Sequence, residues 1–270
     1  MARRAPPLSL SVPLGPVVAG QLIPCTVHLA LSRGVQARAL RVEVVGRLRW
    51  VIGAWGQGPV RWHRWAEERV VHTQQVLPLE RSLGPGTASF RLEVPLPPDA
   101  PPSARGRMVD MAYLLRATLD ISHAPDRWET VPLRVVASTP VPEPGPLTPS
   151  PEGVRVHMEA PRRVRPGQHL EGVLVLTASH PLVLSDLRLE LVRWERVPLG
   201  RMAFPTCRLG LPALSLPAYE ERRVPFTLWV PADAPPTCAL PHGCAIEWTL
   251  RLEAGRYPPL AQGPIVVEAS

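Results

Sequence analysis

Tryptophan and arginine crowd into one short stretch of this chain. Between Gly46 and Glu68 stand Trp50, Trp55, Trp62 and Trp65, interleaved with Arg47, Arg49, Arg61, Arg64 and His63. A guanidinium over an indole face is attracted to it, and the combination suits anionic peptides, lipid headgroups or nucleic acid. The centre, Gly53-Ala54-Trp55-Gly56-Gln57-Gly58-Pro59, reads as a glycine-rich hairpin tip presenting Trp55. An exposed Trp commonly anchors an interface. Arg47, Arg49, Trp55, Arg61, Trp62 and Arg64 are therefore the candidate partner-binding residues. The plainer alternative has Trp50, Trp62 and Trp65 filling a core, with the arginines on the wet side of the same strands.

Cysteine offers a second chemistry. Cys238-Ala-Leu-Pro-His242-Gly-Cys244, with Cys207, contains the donors of a structural Cys₃His zinc site, although not at knuckle spacing. A disulfide between Cys238 and Cys244 suits an oxidising or thermophilic setting. Free thiols are the default among the three, so no metal and no cofactor are expected. Catalysis has little to build on: there is no nucleophile elbow, no His-Glu-x-x-His and no phosphate-cradling glycine loop. His28, His72 and His157 lie in predicted strands, where hydrogen-bonded structural roles are the default.

Composition then says what must hold these residues. The chain has 270 residues, 36 of them Pro and 19 Gly, and 45% hydrophobic content. Proline at this density excludes long helices and favours short strands with rigid turns. All 30 basic residues are Arg, and Asn is absent. GC-rich codon usage, with selection against heat-labile Asn in a thermophile, explains that better than a dedicated phosphate patch. Of the net charge of +7, the surplus lies in residues 1–138, with 17 Arg against 10 acids; residues 151–270 hold 13 and 12. Such a field attracts acidic or phosphorylated partners and anionic membrane surfaces. Interspersed acids make it a mixed face, and no specific nucleic acid is expected. No apolar run reaches the length of a bilayer span, and prolines interrupt the N-terminal apolar stretch, so cytoplasmic residence is the expectation.

The chain also repeats itself. Gly20-Gln21 and Leu40-Arg41-Val42-Glu43-Val44-Val45 recur as Gly167-Gln168 and Leu187-Arg188-Leu189-Glu190-Leu191-Val192. Phe90-Arg91-Leu92-Glu93-Val94-Pro95 recurs as Phe226-Thr227-Leu228-Trp229-Val230-Pro231, and Asp99-Ala100-Pro101-Pro102-Ser103 as Asp233-Ala234-Pro235-Pro236-Thr237. Tyr113-Leu114-Leu115-Arg116 meets Trp248-Thr249-Leu250-Arg251, and the blocks at Pro132 and Pro264 close each copy. Apolar–polar alternation marks these blocks as half-buried strands. The spacing predicts an all-β chain of two tandem antiparallel, immunoglobulin-like β-sandwich domains, 1–138 and 152–270, joined by the stiff Pro-rich linker 139–151. Residues 65–77 carry a weak helical pattern, and strand is preferred there because the flanks are β.

These blocks resemble the arrestin-like family. Phe90-Arg91-Leu92-Glu93-Val94-Pro95, Pro101-Pro102-Ser103, Gly106 and Tyr113-Leu114-Leu115-Arg116-Ala117 match its first-domain punctuation, with Gly20-Gln21 and Gly46-x-x-x-Trp50 ahead of them. The resemblance spans nearly the whole chain. It implies a non-enzymatic cytoplasmic adaptor or scaffold that binds a protein partner, acidic or phosphorylated, or a membrane-associated complex. The ligase-recruiting Pro-Pro-x-Tyr motif is absent, so that role is not implied. The alternative is a secreted or surface sandwich binding carbohydrate or another ligand, with Trp as a stacking platform.

Overall fold

β-branched and leucine-rich runs fold as strands almost throughout, and the proline-poor stretches 35–55 and 62–83 make strands longer than the short ones expected. The computed structural model describes residues 8–55, 62–137, 153–255 and 259–269. Among them the only helical element is the 3₁₀ turn Pro241–Gly243. No described helix is long and apolar enough to cross a membrane.

The N-terminal half carries β1 (Leu8–Ser11), β2 (Val17–Val18), β3 (Leu22–Leu31), β4 (Val35–Trp55) and β5 (Trp62–Leu83). It continues with β6 (Gly86–Pro95), β7 (Ala104–Arg105), β8 (Val109–Ile121), β9 (Arg127–Leu133) and β10 (Val135–Val136). The C-terminal half carries β11 (Val154–Glu159), β12 (Arg163–Val164), β13 (His169–Ala178), β14 (Leu182–Leu184), β15 (Leu187–Val197) and β16 (Gly200–Gly210). After these come β17 (Leu214–Leu216), β18 (Arg222–Trp229), β19 (Cys238–Ala239), β20 (Ala245–Ala254) and β21 (Ala261–Val267). Residues 65–77, ambiguous in sequence, are strand. Alternation with a half-buried face outweighed the scattered Glu and Gln there.

The chain falls into two compact units. One takes Met1–Trp50, Trp65–Arg105 and Asp110–Thr139; the other takes Val51–Arg64, Gly106–Val109 and Pro140–Ser270. The second unit thus claims two short pieces that the sequence places before the linker. The proposed linker, 139–151, lies outside the described residues. In the first half the sheets run β1-β3-β6 and β5-β4-β8-β7, with β9 on β8; in the second, β11-β13-β18 and β12-β21-β20-β15-β16, with β19 on β20. Apart from the two-residue pairs β2–β10 and β12–β21, which are parallel, the registered pairs are antiparallel.

The two halves make the same bonds. Gly20 and Gly167 both adopt positive φ, 88° and 78°, a conformation open to glycine without a Cβ penalty. Their N–H groups reach Leu96 O (3.1 Å) and Val230 O (3.0 Å), and Leu96 and Val230 donate back to Gln21 O and Gln168 O. Ser103 and Thr237 donate N–H to Val135 O and Val267 O, while their hydroxyls accept from the same valines' N–H at 2.9 Å. One large aromatic closes each Pro-Pro turn: Tyr113 Oη donates to Pro101 O at 2.6 Å, and Trp248 Nε1 to Pro235 O at 3.0 Å. A buried ring of this kind needs a partner for its polar tip. Burial, with the nearby Asp99 charge adding to it, pushes the Tyr113 phenol well above its ordinary value.

Candidate functional site

Of the residues singled out in sequence, Arg47 and Arg49 are both paired. Arg47 Nη1 lies 3.4 Å from Glu67 Oε1 and Arg49 Nε 3.6 Å from Glu67 Oε2. The Arg49 guanidinium also stands 5.4 Å from the Trp65 ring centroid. With all three charged side chains about half exposed, this is a solvated ion pair worth little energy. One carboxylate shared by two guanidiniums halves the local positive charge rather than cancelling it. Asp110 also feels Arg49: burial raises its carboxyl above the ordinary range, against the pull of Arg49 and Arg105. Arg64 is exposed on β5. Arg61 and the side chains of Trp55 and Trp62 lie outside the described residues.

Sequence reasoning passed over the acids, and they organise both halves. Glu43 on β4 meets His72 Nε2 at 2.9 Å and Arg116 Nε at 3.7 Å. Glu190 on β15 meets Arg208 Nε at 2.5 Å and Arg251 Nη2 at 2.8 Å. Glu43 and Glu190 hold the same place in the repeat, as do Arg116 and Arg251. Each half therefore crosses its large sheet with one Glu–Arg pair, and the second partner changes from His to Arg. Arg116 of the first pair also lies 5.2 Å from the Trp128 centroid; in the second half a different arginine, Arg201, stands 4.2 Å from that of Trp194. The Trp194 Nε1–H in turn donates to Thr249 Oγ1 at 2.9 Å.

Protein-family models and curated proteins contain no match to this chain. What the residues do must be read from their own geometry.

Glu190 has no exposed surface. Burial alone would raise its carboxyl, but hydrogen bonds and charge from Arg251 and Arg208 overcome that and hold it below the ordinary 4.5. A depressed carboxylate contributes stability above its unfolded value, which is lost as pH falls through the folded value. The unfolding temperature should therefore fall as pH drops below about 4.5. Glu190→Gln should flatten that slope while lowering stability at neutral pH. Scanning calorimetry across an acid series on both proteins measures the difference.

Among the described residues Glu195 is the other acid with no exposed surface. It belongs to the second unit, and so do the groups it holds. Oε1 accepts the Arg107 N–H at 2.9 Å, Oε2 accepts the Met108 N–H at 2.6 Å, and Arg193 Nε lies 2.8 Å from Oε1. The guanidiniums of Arg107 and Arg193 stand 5.3 Å and 5.4 Å from the Phe204 centroid. A Cβ on Gly106 would overlap Glu195 Oε2, which explains glycine at that position. Val51 N–H completes the loop's anchorage with a bond to Met108 O at 2.9 Å. The arrangement immobilises a loop on a buried charge.

The cysteines are free thiols. Cys207 pairs with Leu191, whereas Cys238 sits beside Ile246, which pairs with Glu195. Four residues along β15 separate those positions, about 13 Å at strand rise. Cys207 therefore stands away from Cys238. His242 and Cys244 belong to a turn closed by Leu240 N–H to Cys244 O (2.8 Å) and Cys244 N–H to Pro241 O (3.2 Å). Among the described residues no group of three His, Cys, Asp or Glu is placed to hold a metal ion. Burial pushes the Cys238 thiol up to about 12 and raises Cys244 as well. Both are thiols rather than thiolates, and thiols are poor metal ligands and nucleophiles.

Proposed function

We propose that this chain is a non-enzymatic adaptor of arrestin-like type. Two tandem antiparallel β-sandwich domains, joined by the Pro-rich segment 139–151, hold a protein partner with acidic or phosphorylated side chains. It works in the cytoplasm, at membrane-associated complexes. The supporting observation is the building plan made twice: the same glycine turn, aromatic-closed Pro-Pro turn and closing strand pair in each half. A rigid frame of that kind suits recognition by an inserted segment.

The insertion sits at one place. In the second half β15 turns into β16 through Pro198-Leu199. In the first, six residues, 56–61 with Arg61 among them, separate Trp55 at the end of β4 from Trp62 at the start of β5. With Arg47 and Arg49 sharing Glu67, recognition falls chiefly to Trp55, Arg61, Trp62 and Arg64. The double variant Trp55→Ala with Arg61→Ala should lose the proteins cross-linked to the parent in extracts of the native host, with no change in melting temperature. Phosphatase treatment of the extract should weaken capture by the parent. An unchanged set of captured proteins would remove the reading.

The carbohydrate-binding alternative draws on Trp128, which is 58% exposed. Saturation of the indole fluorescence by soluble oligosaccharides would favour it.

A further inference from the structure

We infer that two copies of this chain pair through β6, edge to edge and antiparallel, with Arg91 of each copy opposite Glu93 of the other. β6 is an edge strand of the sheet β1-β3-β6. Which main-chain groups it offers follows from its register. Leu96 exchanges both bonds with the β3 side, through Gln21 O and Gly20 N–H. Pro24, which has no N–H, stands opposite Glu93. Hydrogen-bonded and non-bonded positions alternate along an antiparallel pair. Leu92, Val94 and Leu96 therefore turn their main chain toward β3, and Arg91, Glu93 and Pro95 turn theirs outward. Thr73 Oγ1 donates to Pro95 O at 2.6 Å, as that geometry requires.

A strand added antiparallel to this edge exchanges N–H and C=O with Arg91 and Glu93 and lays its side chains beside theirs. The complement it must carry, read along its own direction, is a base, one residue, then an acid. β6 itself reads Arg91-Leu92-Glu93. It is its own complement, with the two-fold axis at Leu92. Both charged side chains are exposed. An open channel of about 1000 Å³ runs past them, with Leu22, Pro24, Leu77 and Pro95 among its lining residues. Leu22 is 56% exposed, so the pairing has apolar surface to cover.

Charges on an edge strand often guard against such pairing by setting like against like. Here antiparallel pairing about Leu92 sets unlike charges together, which favours it. The equivalent edge in the second half lacks the device. β18 carries Thr227 and Trp229 at those positions and Pro225 where β6 has Ser89.

Sedimentation equilibrium on the whole chain tests the pairing. The parent should dimerise reversibly. Arg91→Glu alone and Glu93→Arg alone should each weaken the dimer about tenfold or more by facing like charges. An equimolar mixture of the two single variants should dimerise again, and so should the double variant carrying both changes. Circular dichroism on each variant checks that these exposed substitutions leave the fold intact. A parent that stays monomeric, single variants that dimerise like the parent, or a mixture that fails to recover would each overturn the inference.

Discussion

Glu195→Ala should lower the stability of the folded chain by about 3–5 kcal/mol, the range seen when one member of a buried ion pair is removed. Three groups lose their partner at once: the N–H of Arg107, the N–H of Met108 and the guanidinium of Arg193, itself 14% exposed. The Met108 N–H is the most deeply buried of the three. A loss of this size should lower the unfolding midpoint by about 10 °C for a protein of this length. Glu195→Gln keeps the volume and one acceptor, but turns an amide N–H₂ toward a donor, so it should fall between parent and alanine variant. Trypsin adds a local readout, because Arg105 and Arg107 flank the anchored Gly106. Cleavage there should accelerate in Glu195→Ala before global unfolding does. A stability loss below about 1 kcal/mol would mean that the carboxylate behaves as a surface charge.

Trp248→Ala should cost a similar amount, about 3–5 kcal/mol, because it empties a large volume in a close-packed interior. The side chain is 1% exposed and touches the Pro235 carbonyl through its only donor. Trp248→Phe separates the two contributions: it keeps much of the ring volume but leaves Pro235 O without its donor. Tyr113→Phe makes the cleaner comparison, removing only the hydroxyl that holds Pro101 O, and should cost about 1–2 kcal/mol. Urea unfolding of the three variants places them on one scale. Tyr113→Phe matching Trp248→Ala would mean that turn closure, rather than volume, dominates at this corner.

The all-β character and the repeat were readable from sequence because both depend on local signals. Alternation over Leu40–Val45 and Leu187–Val192, glycines at 20 and 167, and the paired Pro-Pro turns each act within a few residues. The acids were not readable for the opposite reason. Glu190 finds Arg208 and Arg251 on two different neighbouring strands, and Glu195 finds a loop almost ninety residues earlier in the chain. Such pairings depend on register, which one strand's pattern does not encode. A signal did exist: Glu43 and Glu190 recur at one place in the repeat, and so do Arg116 and Arg251. The pairing within the Arg–Trp stretch was hidden for a related reason. Glu67 lies eighteen residues beyond Arg49 in sequence, yet β5 brings it beside both Arg47 and Arg49.

The two-residue parallel pairs β2–β10 and β12–β21 also set an order of events during synthesis. Val17 cannot find Val135, nor Val164 find Val267, until nearly a whole half has left the ribosome. Contacts that span so much chain form slowly. Up to that moment each nascent half lacks only its closing strand pair. The first half is then free to finish while the second is still being translated, so the two need not compete for each other's similar strands.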